Sequence, residues 1–217
     1  MKIEQCLYRN GSIIGCGSEI GLINPDMVFV FGSEVVFTNE DILEKIREKF
    51  PDSLLFGCST AGEITGSRIF DDVLACTAVK FEHTRLVFNS IRVSDFPDSK
   101  SAGGYLARQF ETEGLKHLLV LSDGLQVNGS ALVEGIYDVL PENVSVTVGR
   151  SGDSGHFKTT YVMMDGKPQS GVISAVGFYG DKIRIGYGSR GGWDPFGPMR
   201  IITRSENNVL FELDGRS

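Results

Sequence analysis

The sequence holds a single tryptophan, three histidines and four cysteines in 217 residues. His83, His117 and His156 lie far apart, with none of the paired spacings that zinc sites use, so no metal site is expected. His83 and His117 fall at a turn and a strand start and are expected in solvent. Cys6, Cys16, Cys58 and Cys76 form no Cys-x-x-Cys pair, and the amino terminus has no apolar run of signal-peptide length. The four therefore read as reduced thiols of a cytoplasmic protein. Long hydrophobic runs are missing too: 27–31 and 118–121 have strand length, far short of the roughly 20 residues of a membrane helix. Cations are in deficit, with 21 Lys plus Arg against 28 Asp plus Glu and a net charge of −7. Such a surface repels phosphate backbones and anionic lipid, which argues against nucleic-acid and membrane partners. Hydrophobic residues at 41% and charged residues at 23% nevertheless suffice for a folded core.

What is present is an internal repeat. MVFVF (27–31) reads as a buried strand, and Thr38 then opens a helix as its N-cap, with Ile42, Leu43, Ile46 and Phe50 at helical spacing before Pro51. Ninety residues on, HLLVL (117–121), Asn128, the apolar set Leu132, Val133, Ile136 and Leu140, and Pro141 repeat the pattern without a gap. Each proline is followed by a strand ending in glycine, at Gly57 and Gly149, and then by a small polar loop. Apolar β-rich stretches pair again, 73–81 with 170–178, and Leu86 and Phe88 with Ile183 and Ile185. The slowly growing spacing is that of short insertions in surface loops.

The expected fold is α+β, with internally duplicated β-α-β-β-β halves at about 27–93 and 117–190 and a few helices covering the sheets. A connector helix at about 98–113 presents Ala102, Tyr105, Leu106 and Phe110. Segments 200–205 and 209–213 close the chain as a hairpin around 206–208. No stretch is long and polar enough for a flexible boundary, so 1–217 is expected to be one domain.

Loops that leave the carboxyl ends of parallel strands line binding crevices, and this chain has two sets of them. The first contains Ser33, Gly57, Cys58, Ser59, Thr60, Gly62 and Glu63; the second contains Asp123, Arg150, Ser151, Gly152 and Asp153. Ser59, Thr60 and Ser151 bring hydroxyls, and the glycines allow close backbone approach. Arg150 suits a carboxylate, and Glu63, Asp123 or Asp153 suits an ammonium. Trp193 is placed to cap an apolar side chain. These are expected to be the ligand-binding residues, for a small polar molecule.

LFGCSTAGEI (55–64), VLSDG (120–124), GRSGD (149–153), GWDPFG (192–197) and ELDG (212–215) together resemble the FIST domain family along essentially the whole chain. In the second loop this chain has Arg150 and Ser151 where the family commonly has leucine and alanine. The resemblance implies a non-enzymatic sensory module of signal transduction, with amino acids and similar small molecules among its proposed ligands. It also implies a partner, either a carboxyl-terminal FIST domain beyond Ser217 or a signalling protein.

Catalytic look-alikes carry less weight. GDSG (152–155) matches the surroundings of a trypsin-type serine without that family's histidine region. Cys58 and Ser59 are the nucleophiles that a small-molecule hydrolase or transferase would use, but no histidine neighbours Cys58 in sequence. GCGSEIG (15–21) and GYGSRG (186–191) imitate dinucleotide fingerprints but read as turns. A haem-based gas sensor is a further alternative, with His156 as the best-placed axial ligand and Cys58 as another. No cofactor is expected.

Overall fold

A strand covered on both faces has no polar side to show, and a sheet built of such strands needs a second layer on each face. The computed structural model meets that need, within residues 1–185, with four layers. It describes residues 1–9, 12–14, 24–188, 194–206 and 209–217, without the side chains of 13 and 14. In chain order come β1 (Lys2–Arg9), β2 (Ser12–Ile14), β3 (Met27–Gly32), α1 (Glu34–Phe37), α2 (Glu40–Lys49) and β4 (Leu54–Ser59). The hairpin of β5 (Glu63–Thr65) and β6 (Arg68–Phe70) follows, then β7 (Leu74–Lys80), β8 (Arg85–Arg92) and α3 (Ser99–Arg108). Next are β9 (Leu115–Ser122), α4 (Gly129–Tyr137), β10 (Ser145–Arg150), β11 (Val162–Met164), β12 (Lys167–Gln169) and β13 (Val172–Tyr179). The chain closes with β14 (Ile202–Glu206) and β15 (Val209–Leu213).

It divides into two compact units, Met1–Ile185 and Gly186–Ser217. In the first, one sheet has the order β12-β11-β4-β3-β7-β1-β2 and the other β10-β9-β13-β8. The pairs β3–β4 and β9–β10 are parallel, and each is joined through a helix. Alternation along the strands then sorts the core. Val28, Val30, Leu55 and Cys76 pack outward under Ile42, Leu43 and Ile46 of α2. Met27, Phe56, Cys58, Leu121, Val172 and Val176 fill the space between the sheets. Leu118, Val120, Ile173 and Ala175 pack under Ala102, Leu106, Leu132 and Ile136 of α3 and α4. The α+β class is as expected. The second unit carries the β14–β15 hairpin, with Arg204 paired to Glu212 at 3.1 Å.

Three expectations need correction. The N-cap of α2 is Asn39, whose side chain accepts from the Ile42 amide, as Asn128 accepts from Ala131. Thr38 instead ends α1, its hydroxyl donating to the Glu34 carbonyl. β8 does not close the first half; it hydrogen-bonds to β13 at the edge of the second sheet, while Ile183 and Ile185 lie outside any strand. The fourth strand beside β7 is β1, from the amino terminus. His117 is only 3% exposed, its Nδ1 2.7 Å from the Ser145 Oγ, and burial lowers its pKa. Ser145 of β10 and the Phe178 ring of β13, 6.1 Å away between ring centroids, lie against it, whereas His83 is exposed as expected.

Candidate functional site

Both parallel pairs end at the same edge of the first unit, and their loops are tied together there. The Gly152 amide donates to the Ser59 carbonyl at 2.8 Å, and Thr60 donates to the Gly32 carbonyl at 2.9 Å. The Gly124 amide lies 3.0 Å from the Ser151 Oγ and 2.9 Å from the Thr160 Oγ1. Loops from two sheets, far apart in sequence, thus form one crest.

Within the crest, several expected ligand residues already have structural work. Asp123, 1% exposed, accepts from the amides of Leu125, Gln126 and Gly171 and from the Ser170 hydroxyl. The buried Asp153 gathers the amides of Phe157, Lys158 and Thr159, and these bonds, Lys158 foremost, hold its carboxyl below the ordinary range. Ser59 is wholly buried and its Oγ accepts from the Tyr161 amide. Ser151 is buried and donates to the Ser122 carbonyl. At Gly57 a Cβ would sit 1.7 Å from the Val30 carbonyl oxygen, so this glycine is fixed by strand packing. Gly62 has φ +147°, a conformation that favours glycine.

Other crest groups remain open. Thr60, Gly62 and Gly152 are half-buried, and Arg150 is exposed, its guanidinium donating to the Gly124 carbonyl. Ser33 and Glu63 are buried, yet Ser33 Oγ and Glu63 Oε2 have no hydrogen-bond partner. Burial raises the Glu63 pKa, Asp71 and Asp72 add to the rise, and the Thr60 hydroxyl and Val73 backbone oppose it. Trp193 lies outside the described residues, as do 15–21 and part of 186–191.

Cys58 is buried between the sheets, and burial alone pushes its thiol up to about 12. A thiol nucleophile needs the opposite shift. His156 is exposed. Among the described residues no group of three or more His, Cys, Asp or Glu is placed to hold a metal ion, and no helix is long and apolar enough to cross a membrane.

Two contributors to the crest escaped the sequence reading. Thr160 pairs with Gly124 across 36 residues, and nothing local announces it. Thr65 lies two residues beyond Glu63 on the same face of β5, so strand alternation would have found it once β5 was recognised. Clefts of about 550, 490 and 410 Å³ open elsewhere on the first unit, the largest lined by Asp26, Lys80, Arg85 and Phe88. None of these three is lined by the expected ligand residues.

Fold and site together define an α+β domain of two face-to-face sheets with its polar loops gathered at one edge. The FIST N domain model matches residues 26–216, and the chain belongs to this family of sensory domains. None of the curated proteins compared with the chain matches it.

Proposed function

We propose that this chain is the sensory element of a signalling system and that it binds a small polar metabolite, an amino acid or a similar molecule, at the crest. The observation that carries the reading is the junction of loops from both sheets, tied by Gly152 to Ser59 and by Gly124 to Ser151 and Thr160. A ligand held there touches both sheets at once. Arg150, exposed beside Gly124, is the candidate for a ligand carboxylate, and Thr60 and Gly152 offer a hydroxyl and a close backbone. Asp123 and Asp153 hold the loops in place, since their oxygens are already engaged.

The signal would be a population shift: a ligand that binds one arrangement of the loops better favours that arrangement, by no more than its difference in affinity. The receiver would be a carboxyl-terminal FIST domain or a signalling protein. Binding needs no chemistry, and the burial of Cys58 weighs against the thiol hydrolase or transferase that is its rival.

Native mass spectrometry of the purified chain, followed by thermal-shift screening of amino acids and small organic acids, tests the reading. A ligand that binds only the folded chain raises Tm with concentration. Arg150→Ala is expected to weaken a carboxylate ligand about tenfold or more, the size of a lost charge-assisted hydrogen bond. Unchanged affinity in that variant would remove Arg150 from the site.

A further inference from the structure

Among the described residues, four enclosed side-chain polar atoms have no hydrogen-bond partner, and two of them lie on one face of β5: Glu63 Oε2 and Thr65 Oγ1. A third, Ser33 Oγ, follows β3 at the same edge, where the Gly32 carbonyl accepts from Thr60 and the Thr60 hydroxyl donates to Glu63 Oε1. The fourth, Ser122 Oγ, belongs to the other sheet. Enclosed polar atoms without partners are costly and rare, so three at one edge call for a cause.

The hairpin that carries two of them is inside out. Glu63 is 3% exposed, while Ile64 and Ile69, paired across the hairpin, are 72% and 76% exposed. Folding alone would place the isoleucines inward and the carboxylate in water. β5 and β6 form a sheet of their own, joined to neither large sheet, and an isolated two-stranded hairpin is marginal in water. It packs on β7, and the Arg9 guanidinium lies 5.9 Å from the centroid of the Phe70 ring. The hairpin's strand pairing is thus with itself alone, and two of the unpartnered acceptors are on its own inward face.

We propose that the β5–β6 hairpin is a flap that closes over a primary ammonium group of the ligand, received by Glu63 Oε2, Thr65 Oγ1 and Ser33 Oγ. The inference rests on the reading of the crest as a small-molecule site and names the group that the ligand must carry. An ionised carboxylate only accepts, hydroxyls accept as well, and an ammonium offers three donors and no acceptor. Asp71 and Asp72 next to Glu63 add negative charge that favours a cation.

Matched probes test the flap: L-leucine against L-2-hydroxyisocaproate, L-alanine against L-lactate, and putrescine against 1,4-butanediol, each titrated calorimetrically into the full chain. At least one amine is expected to bind roughly tenfold or more tightly than its hydroxyl counterpart, and Glu63→Gln to abolish that preference. Hydrogen exchange at residues 63–70 should slow when that amine binds. If Glu63→Gln fails to fold, Thr65→Val, which keeps the carboxylate, should still weaken the amine several-fold. Equal binding of both members of every pair, or an amine bound equally by Glu63→Gln, overturns the ammonium site and leaves a small-molecule crest standing. Binding by no probe and by no co-purified molecule overturns both.

Discussion

Cys58 shows how position decides the chemistry of a residue. In sequence it opens a polar loop; in the fold it is the penultimate residue of β4, faces the space between the sheets, and its thiol is pushed up to about 12. Iodoacetamide near neutral pH should therefore leave Cys58 unlabelled in the folded chain and label it quickly in urea, as peptide mapping would report. The sign of the linked stability follows. The folded thiol binds its proton more tightly than the unfolded one, so this contribution is whole below the unfolded value of about 8.5 and is lost as pH rises from there toward 12. Rapid labelling of Cys58 in the native chain would restore the nucleophile reading. Asp123 and Asp153 teach the same lesson: residues chosen as ligand groups for their charge spend it on backbone amides, those of the next few residues in both cases and, for Asp123, also that of Gly171, which only folding brings near.

At the scale of elements, local signals were legible where local physics decides. Buried strands without alternation, helical spacing of apolar residues and the Asn128 cap all stand where the sequence puts them. One residue separates the expected cap of α2 from the real one, because Thr38 serves the short α1 that the sequence reading did not separate from α2. Asn39→Ala should cost about 1 kcal/mol of stability, the usual loss of a helix cap, with a smaller loss for Thr38→Ala. Urea denaturation of the two variants compares them, and a larger loss at Thr38 would return the cap to it. The short β5–β6 and β11–β12 hairpins were missed. In the second, Asp165 and Gly166 both have positive φ, and Asp-Gly is a hairpin-turn signal that the sequence did carry.

On the scale of the first unit, the two sheets share one core rather than standing as separate halves. Phe56 of β4 meets Phe29 of its own sheet at 6.1 Å and Phe88 of the other at 6.2 Å, edge to face in both cases. Phe56→Ala should cost about 3–5 kcal/mol, as large core deletions do. The loss is expected in a single transition by both far- and near-ultraviolet circular dichroism. Two separated transitions would mean that the sheets unfold independently.

The sequence by itself determined the α+β class, the long buried strands, most helix limits and which loops follow the parallel strands, because these depend on periodicity and on residues a few positions apart. Its motifs also carried the resemblance to the FIST family. Only the tertiary structure decided that β1 sits beside β7, that β8 crosses to the second sheet, and which polar side chains are spent on the scaffold and which are left without partners. The strand placements and the engagement of Ser59, Ser151 and the Gly171 amide are set by groups tens of residues apart competing for the same hydrogen bonds and the same buried space, and no local pattern of the chain records who wins.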